Sequence, residues 1–162
     1  MDTGGYSACT TPKTYTGLSA GSHTFSVKAT DTAGNVDPTP ASYTWMIDLT
    51  APDTSITAQP ANSSNATSAI FSFSGSDAES GVASFGCQLD GGGYSPCSSP
   101  KAYGSLGQGG HTFEVRAVDR AGNTDATPAR YTWTIDLTAP DTSITAHPVN
   151  PSNSTSASFS FS

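Results

Sequence analysis

Apolar and polar residues alternate along most of this chain. In "HTFEVRAVD", His111, Phe113, Val115 and Ala117 fall on one side, and Thr112, Glu114 and Arg116 on the other. In "YTWTID", Tyr131, Trp133 and Ile135 oppose Thr132 and Thr134. "AIFSFS" places Ala69, Phe71 and Phe73 together, and "ASFGCQL" does the same for Phe85, Cys87 and Leu89. A period of two is the signature of an extended strand with one buried and one wet face. Between these runs lie "LDGGGY", a hairpin turn by composition, and "DRAGNTDATP" and "DTAGNVDPTP", loops rich in turn formers. Eleven prolines and sixteen glycines leave no room for a long helix. In the middle of the chain the pattern predicts strands near 53–57, 67–74, 82–89, 93–97, 101–104, 111–118 and 129–136. Seven short strands at this spacing predict an all-β chain built as an antiparallel β-sandwich. Trp133, Phe113, Phe85, Phe71 and Leu106 are its expected core, and Trp45 is expected to be a core filler like Trp133.

The same pattern then recurs. "TWMIDLTAPDTSITA" begins at Thr44 and "TWTIDLTAPDTSITA" at Thr132. An offset of 88 residues lays Asp2–Ser74 over Asp90–Ser162 without a gap, and about 50 of the 73 pairs are identical. This reads as three segments: 1–50, the later part of one repeat; 51–138, a complete repeat; and 139–162, the first part of a third. The head is expected to lack the first three strands of its sandwich, and the tail to supply two early strands. The ends fit a window onto a longer array. The competing reading is head-to-tail strand exchange between chains, the tail of one adding strands to the head of the next.

Composition narrows the partners. The formal net charge is −7, with six Lys plus Arg among 162 residues. That is too few for a phosphate-tracking patch, so no nucleic-acid partner is expected. No apolar run approaches the ~20 residues of a membrane span.

The three cysteines bear on compartment. Cys87 and Cys97 bracket "CQLDGGGYSPC", and Cys9 is the repeat equivalent of Cys97. They are either reduced thiols or, for Cys87 and Cys97, a disulfide across a glycine-rich hairpin. The tight reversal between them favours the disulfide and hence an oxidising compartment. Cys9 is then unpaired or intermolecular. Sequons at Asn62, Asn65 and Asn153 agree with an extracellular setting.

"LDGGGYSPCSSPKAY", the "HTF-x-V-x-A-x-D-x-AGN-x-D" stretch and "PARYTWTIDLTAPDTSI" resemble bacterial Ig-like repeats, related in fold to fibronectin type III and HYR-like modules. The resemblance covers essentially the whole chain. It implies Ig-like sandwiches in tandem within a large secreted or cell-surface protein, with an adhesive, spacer or stalk role. It names no ligand, because one sandwich fold hosts many functions.

No catalytic constellation is legible. His23 and His111 are repeat equivalents at strand starts, expected to be structural, and His147 replaces Gln59. None neighbours a nucleophile motif, and they lack zinc-ligand spacing. The chemistry that remains is acidic. A sandwich of this kind gathers the second-to-third strand loop, the sixth-to-seventh strand loop and its N-terminal approach at one pole. That would bring together Asp77, Glu79, Asp119, Asn123, Asp125 and Asp53, hard oxygen ligands suited to Ca²⁺. The plainer alternative is that they cap turns through backbone hydrogen bonds. Functionally, the chain is expected to be a non-enzymatic extracellular spacer or stalk. The alternatives are a filament subunit assembled by strand complementation and a carbohydrate-binding accessory module, for which Tyr6, Tyr94 and Tyr103 are the exposed aromatic candidates.

Overall fold

The structure, a computed structural model, describes all 162 residues. It contains eleven strands and no helix. They are β1 (Gly21–Val27), β2 (Ala41–Ile47), β3 (Asp53–Ala58), β4 (Ala69–Ser76), β5 (Val82–Leu89), β6 (Ser95–Cys97), β7 (Lys101–Tyr103), β8 (Gly109–Asp119), β9 (Ala129–Ile135), β10 (Ile144–Ala146) and β11 (Ser160–Phe161).

Strands β3 to β9 form two sheets, ordered β3-β4-β7 and β6-β5-β8-β9, with every named pairing antiparallel. The alternation sets which residues meet between them. Phe71 of β4 is fully buried and stacks on Phe113 of β8, ring centroids 4.1 Å apart and planes 16° from parallel. Trp133 of β9 closes over Phe71 at 5.2 Å. Ala69, Phe73, Cys87, Val115 and Ile135 complete the buried cluster, and Phe85 and Leu106 pack against it half-exposed. Each large side chain removed from water here stabilises by roughly 1.5–3 kcal/mol. The Ig-like sandwich expected from the sequence is therefore present in this part of the chain.

Two features close its edges. Cys87 and Cys97 form a disulfide, Cα atoms 5.8 Å apart, across the β5–β6 hairpin. Closing that short loop should add roughly 2.5–3 kcal/mol on the chain-entropy account. On the outer side of β9, Ser64 N donates to Thr134 O at 3.0 Å and Asp136 N to Ser64 O at 2.9 Å. This parallel rung covers part of an otherwise bare strand edge.

The flanking segments are smaller. β1 and β2 pair in the register of β8 and β9, so that His23 faces Trp45 as His111 faces Trp133. The head nevertheless forms two strands, not the fuller set expected. Ser7–Cys9 and Lys13–Tyr15 correspond to β6 and β7 but form no strands, because their ladder partners would be the equivalents of β5 and β4. Trp45 is accordingly half-exposed, unlike the core filler that its sequence context predicts, since no second sheet covers it. The tail forms the hairpin β10–β11, with Ile144 opposite Phe161 as Ile56 lies opposite Phe73.

Candidate functional site

The "DRAGNTD" loop joins β8 to β9 at the pole facing the head segment. Asp119, 2 % exposed, sits beneath it. Its Oδ1 accepts from Gly122 N at 2.6 Å and Asn123 N at 2.8 Å, and its Oδ2 from Asn123 Nδ2 at 2.8 Å. Burial pushes this carboxyl up, but the Asn123 side chain and the cradle of backbone N–H groups outweigh it and hold the pKa below the ordinary value. Gly122, at φ +99°, supplies the turn that folds the chain over the carboxylate. Asp31 and Asn35 repeat the arrangement in the head.

Asp125 is equally committed. Thr54 Oγ1 donates to its Oδ2 at 2.6 Å, and Thr127 N donates to its Oδ1 at 2.8 Å. The same Thr54 oxygen accepts from Ala117 N at 3.0 Å. A buried chain of hydrogen bonds thus runs from β8 through β3 to the loop. Asp53 is exposed on β3, opposite Ser76. Of the six residues expected to gather a cation, Asp119, Asn123 and Asp125 hydrogen-bond within the fold, and Asp53 is exposed on β3.

Asp77 and Glu79, on the β4–β5 loop, do converge, and their third partner is Asp48 from the segment between β2 and β3. One carboxylate oxygen from each of Asp48, Asp77 and Glu79 lies within 4.8 Å of the other two. Asp48 Oδ1 accepts from Thr50 N, and Asp77 Oδ1 from Ser80 N and Gly81 N, all at 2.7–2.8 Å. The second oxygens, Oδ2 of Asp48 and Oδ2 of Asp77, are buried without a hydrogen-bond partner. Asn123 reaches this place too: its Nδ2 also donates to Asp48 O at 3.1 Å. Sequence reasoning missed Asp48 because it stands outside the loops of the repeat whose pole it joins. The available signal was the recurrence of "IDLT", which puts an aspartate at the end of the last strand in both copies.

The other singled-out residues are mainly structural. Cys9 is free and exposed. Asn62 Oδ1 accepts from Thr134 N at 3.1 Å, which ties the chain to β9, while Asn65 and Asn153 are exposed. Tyr103 is not an exposed platform: it packs edge-on against Phe71 and Phe113, and burial raises its phenol pKa. Tyr94 donates to Glu114 Oε2 at 2.8 Å beneath the Arg116 guanidinium. Tyr6 is exposed, with Lys28 above its ring. No helix is long and apolar enough to cross a membrane.

No curated protein matches the chain. Residues 104–136, running from just after β7 through β9, match the family described as bacterial Ig-like domain, and they lie within the two facing sheets of the sandwich.

Proposed function

We propose that this chain is a non-enzymatic structural segment of an extracellular or cell-surface protein, in which Ig-like repeats stand end to end as a spacer or stalk. The observation that carries this reading is the connection between the head and the sandwich. Five residues, Asp48–Pro52, separate β2 from β3. Asp48 and Pro52 are buried, and Asn123 of the sandwich holds the Asp48 carbonyl. Pro52 also confines Ala51 to extended conformations. A connection this short and this engaged resists bending. The Cys87–Cys97 disulfide supports an oxidising compartment. Small-angle scattering on two, four and six joined copies of residues 51–138 tests the proposal. A stiff stalk requires a radius of gyration that rises in near proportion to copy number. Growth with an exponent of roughly 0.5–0.6, the flexible-chain value, would sink it.

A second reading, a filament joined by strand complementation, is favoured by one specific likeness. The β10–β11 hairpin repeats the pairing of β3–β4, including the Ser143–Ser162 rung that matches Ser55–Ser74. The head meanwhile presents a cleft lined in part by Tyr15, Phe25 and Val27, and the sandwich equivalent of Phe25, Phe113, stacks on Phe71 of β4.

A further inference from the structure

The geometry points to a calcium site at the joint between the head and the sandwich, held by Asp48, Asp77 and Glu79. Three observations converge on it. The three carboxylates, drawn from two consecutive repeats, place oxygens within 4.8 Å of one another. Asp48 is only 7 % exposed, and its Oδ2 has no partner, nor has the buried Oδ2 of Asp77. None of the ion pairs in the chain involves any of the three; those pairs join His23 to Asp2, His111 to Asp90 and Arg130 to Glu114. Three like charges with two buried, unsatisfied oxygens are costly to hold together without a counter-charge.

The donor chemistry selects the ion. Every candidate atom is a carboxylate oxygen, with no imidazole or thiolate among them, which suits a hard cation. Calcium accepts six to eight oxygens in irregular arrangements, and carboxylates can bind it with one oxygen or two. Magnesium demands a stricter octahedron and keeps its water, a poorer match to three acids drawn from two separate segments. Two of the acids already have one oxygen locked by backbone N–H groups, which orients the other. The repeat supplies its own comparison. Asp136, 88 residues after Asp48, occupies the same strand-end position with no acidic loop against it, and it is exposed. The burial of Asp48 is therefore a property of the joint.

The ion would fasten the preceding repeat to the β4–β5 loop of the next, and array stiffness would then depend on calcium. The assignment stands on the joint itself and does not require the stalk reading to hold.

The test uses the whole chain, stripped with EDTA and titrated with CaCl₂ by calorimetry. One calcium per chain is expected. Asp48→Asn and Glu79→Gln should each weaken it at least about tenfold, while Asp136→Asn leaves it unchanged. Thermal melting adds a readout that a merely structural role would not move. In EDTA, Asp48→Asn should raise the midpoint, because its amide can donate to the facing carboxylates where the acid repelled them. In calcium the same variant should melt below the parent. Absence of binding at millimolar calcium, or binding indifferent to Asp48→Asn and Glu79→Gln, would overturn the assignment. Either result leaves the scattering test of the stalk untouched, so the two proposals fail separately.

Discussion

His111 has both ring nitrogens committed to acceptors. Nδ1 lies 2.8 Å from Asp90 Oδ2, and Nε2 lies 2.9 Å from Gly107 O. A neutral imidazole has one N–H to give, so only the imidazolium satisfies both neighbours. The Gly107 carbonyl and then the Asp90 carboxylate accordingly raise the His111 pKa above its ordinary value of 6.5. His23 repeats the arrangement with Ser19 O and Asp2, and its pKa is raised for the same reasons. The folded-state pKa lies above the unfolded one. The stability that His111 contributes is therefore complete below about pH 6.5 and is lost as pH rises through the folded value. Two measurements check this. A ¹H–¹³C titration should give His111 a midpoint above 6.5. The melting-point advantage of the parent over His111→Gln should be larger at pH 5.5 than at pH 8.5. A midpoint at or below 6.5 would contradict the doubly donating ring.

At the scale of strands, the period-two pattern carried most of the architecture. The seven strands of the sandwich fall within a few residues of where the alternation puts them, because each buries one face and leaves the other wet. Burial of Phe71, Phe113 and Trp133 follows from the same rule. The pattern does not say what a polar side chain on the buried face bonds to. Thr54 shares the Ile56 face of β3 by alternation, but the spacing does not report its partners: buried, it bridges Ala117 N to Asp125 Oδ2. Asp48 escaped for a related reason: its partners come from another repeat, and no local spacing reports a contact across a joint. The half-exposed Trp45 marks the same limit, since alternation names a buried face without supplying the sheet that buries it. Thr54→Val tests the bridge. Valine keeps the shape but strips the hydroxyl, which leaves a buried N–H and a buried carboxylate oxygen each short of a partner. Urea denaturation should show a loss of at least about 2 kcal/mol. Thr54→Ser, which retains the hydroxyl, should recover much of it. Equal stability of Thr54→Val and the parent would mean that the bridge contributes nothing.

Over the whole molecule, complementary surfaces lie at opposite ends. Phe159, Phe161 and Ile144 are mostly exposed, at 58 %, 79 % and 65 %. They are the repeat equivalents of Phe71, Phe73 and Ile56, which pack on the β8–β9 face in the sandwich. The head presents the equivalents of that face, Phe25 and Trp45, uncovered by a second sheet. Within one chain the sandwich stands between the two. Contact between the tail of one chain and the head of another would be heterologous and would not close on itself, so it extends into chains of molecules. Such a joint would still lack an equivalent of β5, the strand that pairs with both β6 and β8. The contact should therefore be weaker than the packing inside the sandwich and should depend on concentration. Light scattering after size exclusion should show mass rising with loading in the parent. Phe161→Asp, which puts a charge on the exposed hairpin, should abolish that rise without shifting the main melting transition, because Phe161 lies outside the sandwich core. A parent that stays at the mass of one chain throughout would remove strand exchange.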